Sequence, residues 1–220
     1  MPPQPRSTPK RPPTTGRDRT QLLWIAGGVA LLLVGVLIYV LVGRGGGSKA
    51  AAEDARTALE AAGCTLDVGV ADKGVHSITT PDGTSKSWKT DPPTSGAHYQ
   101  TPVIWGAYTE PVNMAQLVHN LEHGGIFILY GDEVSDATVA ELKSFYDTRQ
   151  NGTVLAPYPK LGDEIALGAW VSKSASTPDD ANTYLAKCTG FDQTAFDAFF
   201  DAFQFQGPER FPASQLTPGS

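Results

Sequence analysis

The stretch Asn113-Met114-Ala115-Gln116-Leu117-Val118-His119-Asn120-Leu121-Glu122-His123-Gly124-Gly125-Ile126-Phe127-Ile128-Leu129-Tyr130 contains the change of period on which the fold turns. Up to His123, Met114, Leu117, Val118 and Leu121 recur every three or four positions, giving a helix with one apolar stripe. Gly124-Gly125 ends it, since glycine takes the left-handed conformation that closes helices. Ile126 to Tyr130 is then apolar without alternation, the pattern of a short strand covered on both faces. A helix feeding a buried central strand implies a sheet with helices packed on it.

Working outward, Asp136 to Gln150 reads as an amphipathic helix capped by Ser135, and Thr153–Ala156 and Glu164–Ser172 as strands. Thr177–Lys187 and Phe191–Phe205 read as helices, the second lined by Phe196, Phe199, Phe200 and Phe203. Upstream, Thr65 to Val70 alternates as a strand does, and Pro81-Asp82-Gly83 marks a turn. Lys89 to Val112 has no period and carries Pro92, Pro93, Gly96, Pro102, Gly106 and Pro111. Irregular chain of that length inside a compact domain is uncommon unless it has a task. Lys49 to Ala62, rich in alanine and stopped by Gly63, reads as a helix, either a stalk or the first helix of the domain, and is assigned to the stalk. The expected class is α+β: one small mixed sheet with packed helices over 63–212, a linker and stalk over 44–62, and a disordered tail over 213–220.

From Leu22 to Val42 there is no charged residue. At ~1.5 Å per residue this run spans roughly the 30 Å of a bilayer core, longer than the apolar part of a signal peptide. It predicts one transmembrane helix over 21–43, with Trp24 and Tyr39 near its ends. Arg6, Lys10, Arg11, Arg17 and Arg19 precede it against Asp18 alone, so the disordered basic tail (1–20) is expected in the cytoplasm and the rest outside. The expected location is the cell membrane, reached through the chain's own helix. With a net charge of −6 overall, the part beyond this basic tail is more acidic still. That excludes nucleic acid as the expected partner and favours cations. No protein partner is legible.

Cys64 and Cys188 are the two cysteines, and both fall on the exported side. One disulfide is the simplest reading there; the alternative, a shared metal site, has no C-x-x-C spacing to support it. The four histidines, His76, His98, His119 and His123, fall in one window of the chain. On a helix His119, Glu122 and His123 share a face, a geometry by which imidazoles grip a metal beside a carboxylate. His98 in the irregular loop is the candidate third ligand, and His76 follows on scarcity alone. Copper or zinc suits such donors. The same H-x-x-E-H spacing occurs in inverted zinc peptidases, where Glu122 would be the general base, but Gly124-Gly125 cuts the helix directly behind it. The other reading of the cluster is a buried hydrogen-bond network in an envelope interaction or structural domain. A binding domain is favoured over an enzyme.

Thr90-Asp91-Pro92-Pro93-Thr94-Ser95-Gly96-Ala97-His98-Tyr99, Trp105-Gly106-Ala107-Tyr108 with Glu110-Pro111-Val112, and Leu117 to Gly125 together resemble a bacterial family known as domain of unknown function 3105. Ala61-Ala62-Gly63-Cys64, His76, Ala156-Pro157-Tyr158-Pro159, Ile165-Ala166-Leu167 with Ala169-Trp170, and Gly207-Pro208-Glu209 extend the resemblance over roughly Ala61 to Pro212. It departs at Ala97, where members often carry Pro. The resemblance implies a membrane-anchored extracytoplasmic layout and marks the histidine motifs as a signature. It implies no activity.

Overall fold

The computed structural model describes residues 47–79, 83–174 and 176–220. The expected basic tail, the expected transmembrane helix, the start of the linker and the first two residues of the Pro81-Asp82-Gly83 turn lie outside them. Among the described residues no helix is long and apolar enough to cross a membrane.

Among the described residues four α-helices, α1 (Gly47–Ala61), α2 (Met114–Glu122), α3 (Asp136–Thr148) and α4 (Gln193–Phe203), pack on one mixed sheet. Its strands are β1 (Thr65–Val70), β2 (Gly106–Ala107), β3 (Ile126–Tyr130), β4 (Thr153–Pro157), β5 (Ile165–Ser172) and β6 (Ala181–Cys188), in the order β1-β6-β5-β3-β4-β2. The unbroken apolar run becomes β3, paired parallel with β4 and antiparallel with β5. Its alternate side chains then serve two cores. Ile126 and Ile128 face α1, α3 and α4, whereas Phe127 and Leu129 face α2 and the irregular loop. The class is α+β, as the run of periods predicts.

The first core holds Leu59, Phe145 and the four α4 phenylalanines, packed edge to face, with Phe145 and Phe200 centroids 5.1 Å apart. Burying each such ring stabilises the fold by roughly 1.5–3 kcal/mol. The Cys64–Cys188 disulfide closes this face, joining the residue ahead of β1 to the end of β6.

Three expectations are corrected. Thr177–Lys187 is not a helix: Ala181–Cys188 is a strand, because it lies between two partners. Its alternate residues are shared between the cores, Ala181 and Leu185 to one, Ala186 and Cys188 to the other. Pairing and burial on both faces override the helix propensity of Ala, Leu and Lys. The helix read as a stalk belongs to the domain, since Ala55 and Leu59 are fully buried in the first core. Residues 213–220 are not a loose tail. Leu216 is buried, its carbonyl accepts from Gly152 N–H, and Trp105 exchanges backbone hydrogen bonds with Gly219 and Ser220.

Candidate metal centre

Local chemistry at both ends of α2 fixes the H-x-x-E-H residues. Asn113 caps the start, its Oδ1 accepting from Ala115 and Gln116 N–H at 3.0 and 3.2 Å. At the far end Gly124 turns with φ 92°, and the returning chain satisfies carbonyls that the helix leaves open. Phe205 N–H donates to Gly124 O at 2.7 Å and Glu209 N–H to Glu122 O at 2.9 Å. Mid-helix, Asn120 exchanges two 2.8 Å bonds with the backbone of Val103, tying the irregular loop to the helix. That loop carries His98, and the segment carrying His76 is bound to it: His98 N–H donates to Val75 O at 3.0 Å.

These ties bring His76, His98, His119 and Glu122 into one group whose ligand atoms all lie within 4.8 Å of one another, a set that could hold a metal ion. His76 is exposed and the other three are buried, His98 completely. The rings of His76, His98 and His119 cluster edge-on or tilted, with centroids 4.7–4.9 Å apart. His123, the C-cap of α2, stands beside the group, its Nε2 3.0 Å from His119 Nε2 and 3.7 Å from Glu209 Oε2.

The ring nitrogens are sorted by what they touch. His98 Nδ1–H donates to Gly96 O at 2.7 Å, and His119 Nδ1–H to Tyr99 O at 2.8 Å. A carbonyl only accepts, so in the neutral ring each Nε2 carries the lone pair. His119 Nε2 receives the His123 N–H. His98 Nε2 has no hydrogen-bond partner, although Glu122 Oε2 stands 3.1 Å away. A neutral His98 sets a buried lone pair against a buried carboxylate, a conflict that either a proton or a metal cation between them removes.

Burial holds His123 down to about 4, and the neighbouring His119 adds to the effect. His119 is also lowered, by burial against the opposing pull of its bond to Tyr99. Burial alone would raise the Glu122 carboxyl, yet the contact with His98 and the surrounding imidazoles bring it below its usual value. Near neutral pH His119 and His123 are therefore neutral imidazoles and Glu122 is a carboxylate.

The sequence reading names all five residues, and the structure places them side by side. It brings His76, ranked last on scarcity, into the four-residue group and sets His123 at the edge. It also adds residues that reading missed. Trp170 stands edge-on to His98 at 6.3 Å, and a Cβ on Gly74 would strike Glu122 Oε1. Glu209 faces His123. Gly74 sits two residues before His76, and Glu209 lies in the Gly207-Pro208-Glu209 string, the signals from which they could have been found.

The family model described as Protein of unknown function (DUF3105) matches residues 80–215, which span α2, five of the six strands and four of the five residues above. No curated protein and no solved structure matches the chain.

Proposed function

The chain belongs to the DUF3105 family, and we propose that its histidine group binds a divalent transition-metal ion, zinc or copper, for handling at the outer surface of the cell membrane. The observation that carries this reading is His98 Nε2, a fully buried ring nitrogen without a hydrogen-bond partner, set 3.1 Å from the Glu122 carboxylate. Three imidazoles and one carboxylate form a donor set of the zinc type, with Zn–N near 2.0–2.1 Å. Copper competes for it because Cu(II) binds nitrogen sites more tightly than Zn(II). The Tyr99 and Gly96 carbonyls orient His119 and His98 as backbone acceptors do for ligating imidazoles elsewhere. Glu122 is a ligand or the carboxylate that orients one.

Location follows from the uncharged run over 21–43 and the basic residues before it, which support a single N-terminal anchor with the folded domain outside. The Cys64–Cys188 disulfide fits an oxidising compartment. Titration of the chelator-stripped full chain with Zn(II) and Cu(II) tests the reading. Submicromolar binding of one ion per chain is the expected result; no binding below the millimolar range overturns it.

One observation favours a second reading. His123 already donates to His119 at 3.0 Å, as in a structural hydrogen-bond network. That network predicts a chain indifferent to both metals and destabilised by His119→Ala.

A further inference from the structure

Glu122 offers its two oxygens to different surroundings. Oε2 faces His98 Nε2 at 3.1 Å, within the imidazole group. Oε1 is the atom that a Cβ on Gly74 would strike, and there Gly74, Glu122 and Trp170 line a cavity of about 250 Å³. At about 30 Å³ per water the cavity has room for roughly eight, enough for a divalent ion with its inner hydration shell.

The walls are acidic. Asp72, Asp179, Glu122 and Glu209 line the cavity against one base, Lys73. Lys73 is tied to Asp179 at 2.9 Å and Asp72 to Lys89 at 2.6 Å, which leaves the charge of Glu122 and Glu209 to dominate. The unpartnered His98 Nε2 behind Glu122 is an independent sign of where a cation is wanted. Gly74 matters for the same reason: any side chain there would come between the cavity and the carboxylate.

We propose that this cavity is the route by which the metal reaches the histidines, with Glu122 as its first protein ligand. The hydrated ion enters, exchanges a water for Oε1, and gives up further waters as Nε2 of His98 and the neighbouring imidazoles bind. No electron is transferred. The inference rests on the metal-binding reading and adds a direction of access to it: from the Gly74 side rather than past the exposed His76.

Stopped-flow mixing of Co(II) with the full-length chain in detergent tests the route through the d–d absorption of the bound ion. Pro178→Trp narrows the cavity at an exposed lining position, and Asp179→Lys places a second cation beside Lys73. With Pro178→Trp, association and dissociation should both slow by about tenfold at unchanged Kd. With Asp179→Lys, association should slow by about tenfold at low salt and recover at high salt. Parent-like rates in both variants, with affinity intact, would overturn the route and leave the metal site standing. Failure of the parent chain to bind Co(II) would overturn both.

Discussion

On one face of the sheet Phe196, Phe199, Phe200 and Phe203 close over Leu59, Ile128 and Leu167, and a disulfide staples the edge. On the other face His98, His119, Asn120 and Glu122 are buried beside Trp170 and Val118. The same strands serve both, since successive residues of β3 and β5 point to opposite sides. The first face is apolar, stabilises by area and carries none of the histidines. The second buries polar groups, one of them unpartnered, and an unsatisfied buried group costs about 1–3 kcal/mol. On the proposed function, stability resides in the aromatic face and binding in the polar one. Mutations on the two faces should therefore separate unfolding from metal binding.

The largest effect is expected from Phe199→Ala. Emptying that fully buried position should lower unfolding free energy by about 3–5 kcal/mol in urea, while the folded fraction keeps its metal stoichiometry. Cys64→Ala with Cys188→Ala should cost about 2–5 kcal/mol by the same assay, again without loss of metal. A metal-free folded Phe199→Ala protein would show that the two faces are not separable.

Glu122→Gln should act the other way. It keeps size and removes charge, so metal affinity should fall about 10–100-fold with little change in apo-protein stability. Gly74→Ala should resemble it, because the new Cβ displaces the Glu122 carboxylate. Equal affinity in Glu122→Gln would confine the site to the imidazoles.

The smallest effect is in pH dependence. His123, His119 and Glu122 all have lowered pKa values in the folded chain. The unfolded chain therefore binds more protons, and stability present above the unfolded histidine value is lost as pH falls. For His123 the window runs from 6.5 to about 4. Thermal melts of chelator-treated protein should show a falling midpoint across it, with a shallower slope in His123→Gln. An unchanged slope in that variant would contradict the packing of a neutral His123 against His119.

Much of this organisation is legible in the residues. The period change around Gly124-Gly125 places α2 and β3, and β3 calls for cover on both faces. The cysteine pair, named by compartment, is the disulfide observed. Thr177–Lys187 misleads because its strand state comes from β1 and β5, partners distant in sequence, while its composition suits a helix. The stalk reading of α1 fails likewise: Ala55 and Leu59 gain their meaning from phenylalanines far down the chain. At the site, helical spacing finds His119 and Glu122. It ranks His123 above His76, because local spacing cannot show that the segment before His76 pairs with the His98 loop through Val75 and Ala97.

The central claim is that the polar face holds a metal between His76, His98, His119 and Glu122. Elemental analysis of the full-length chain, purified without a polyhistidine tag and loaded with Zn(II) or Cu(II), tests it beside His98→Ala/His119→Ala. The account predicts close to one ion per parent chain and none in the folded variant. A parent chain that stays metal-free, or a folded variant that keeps its ion, would contradict it.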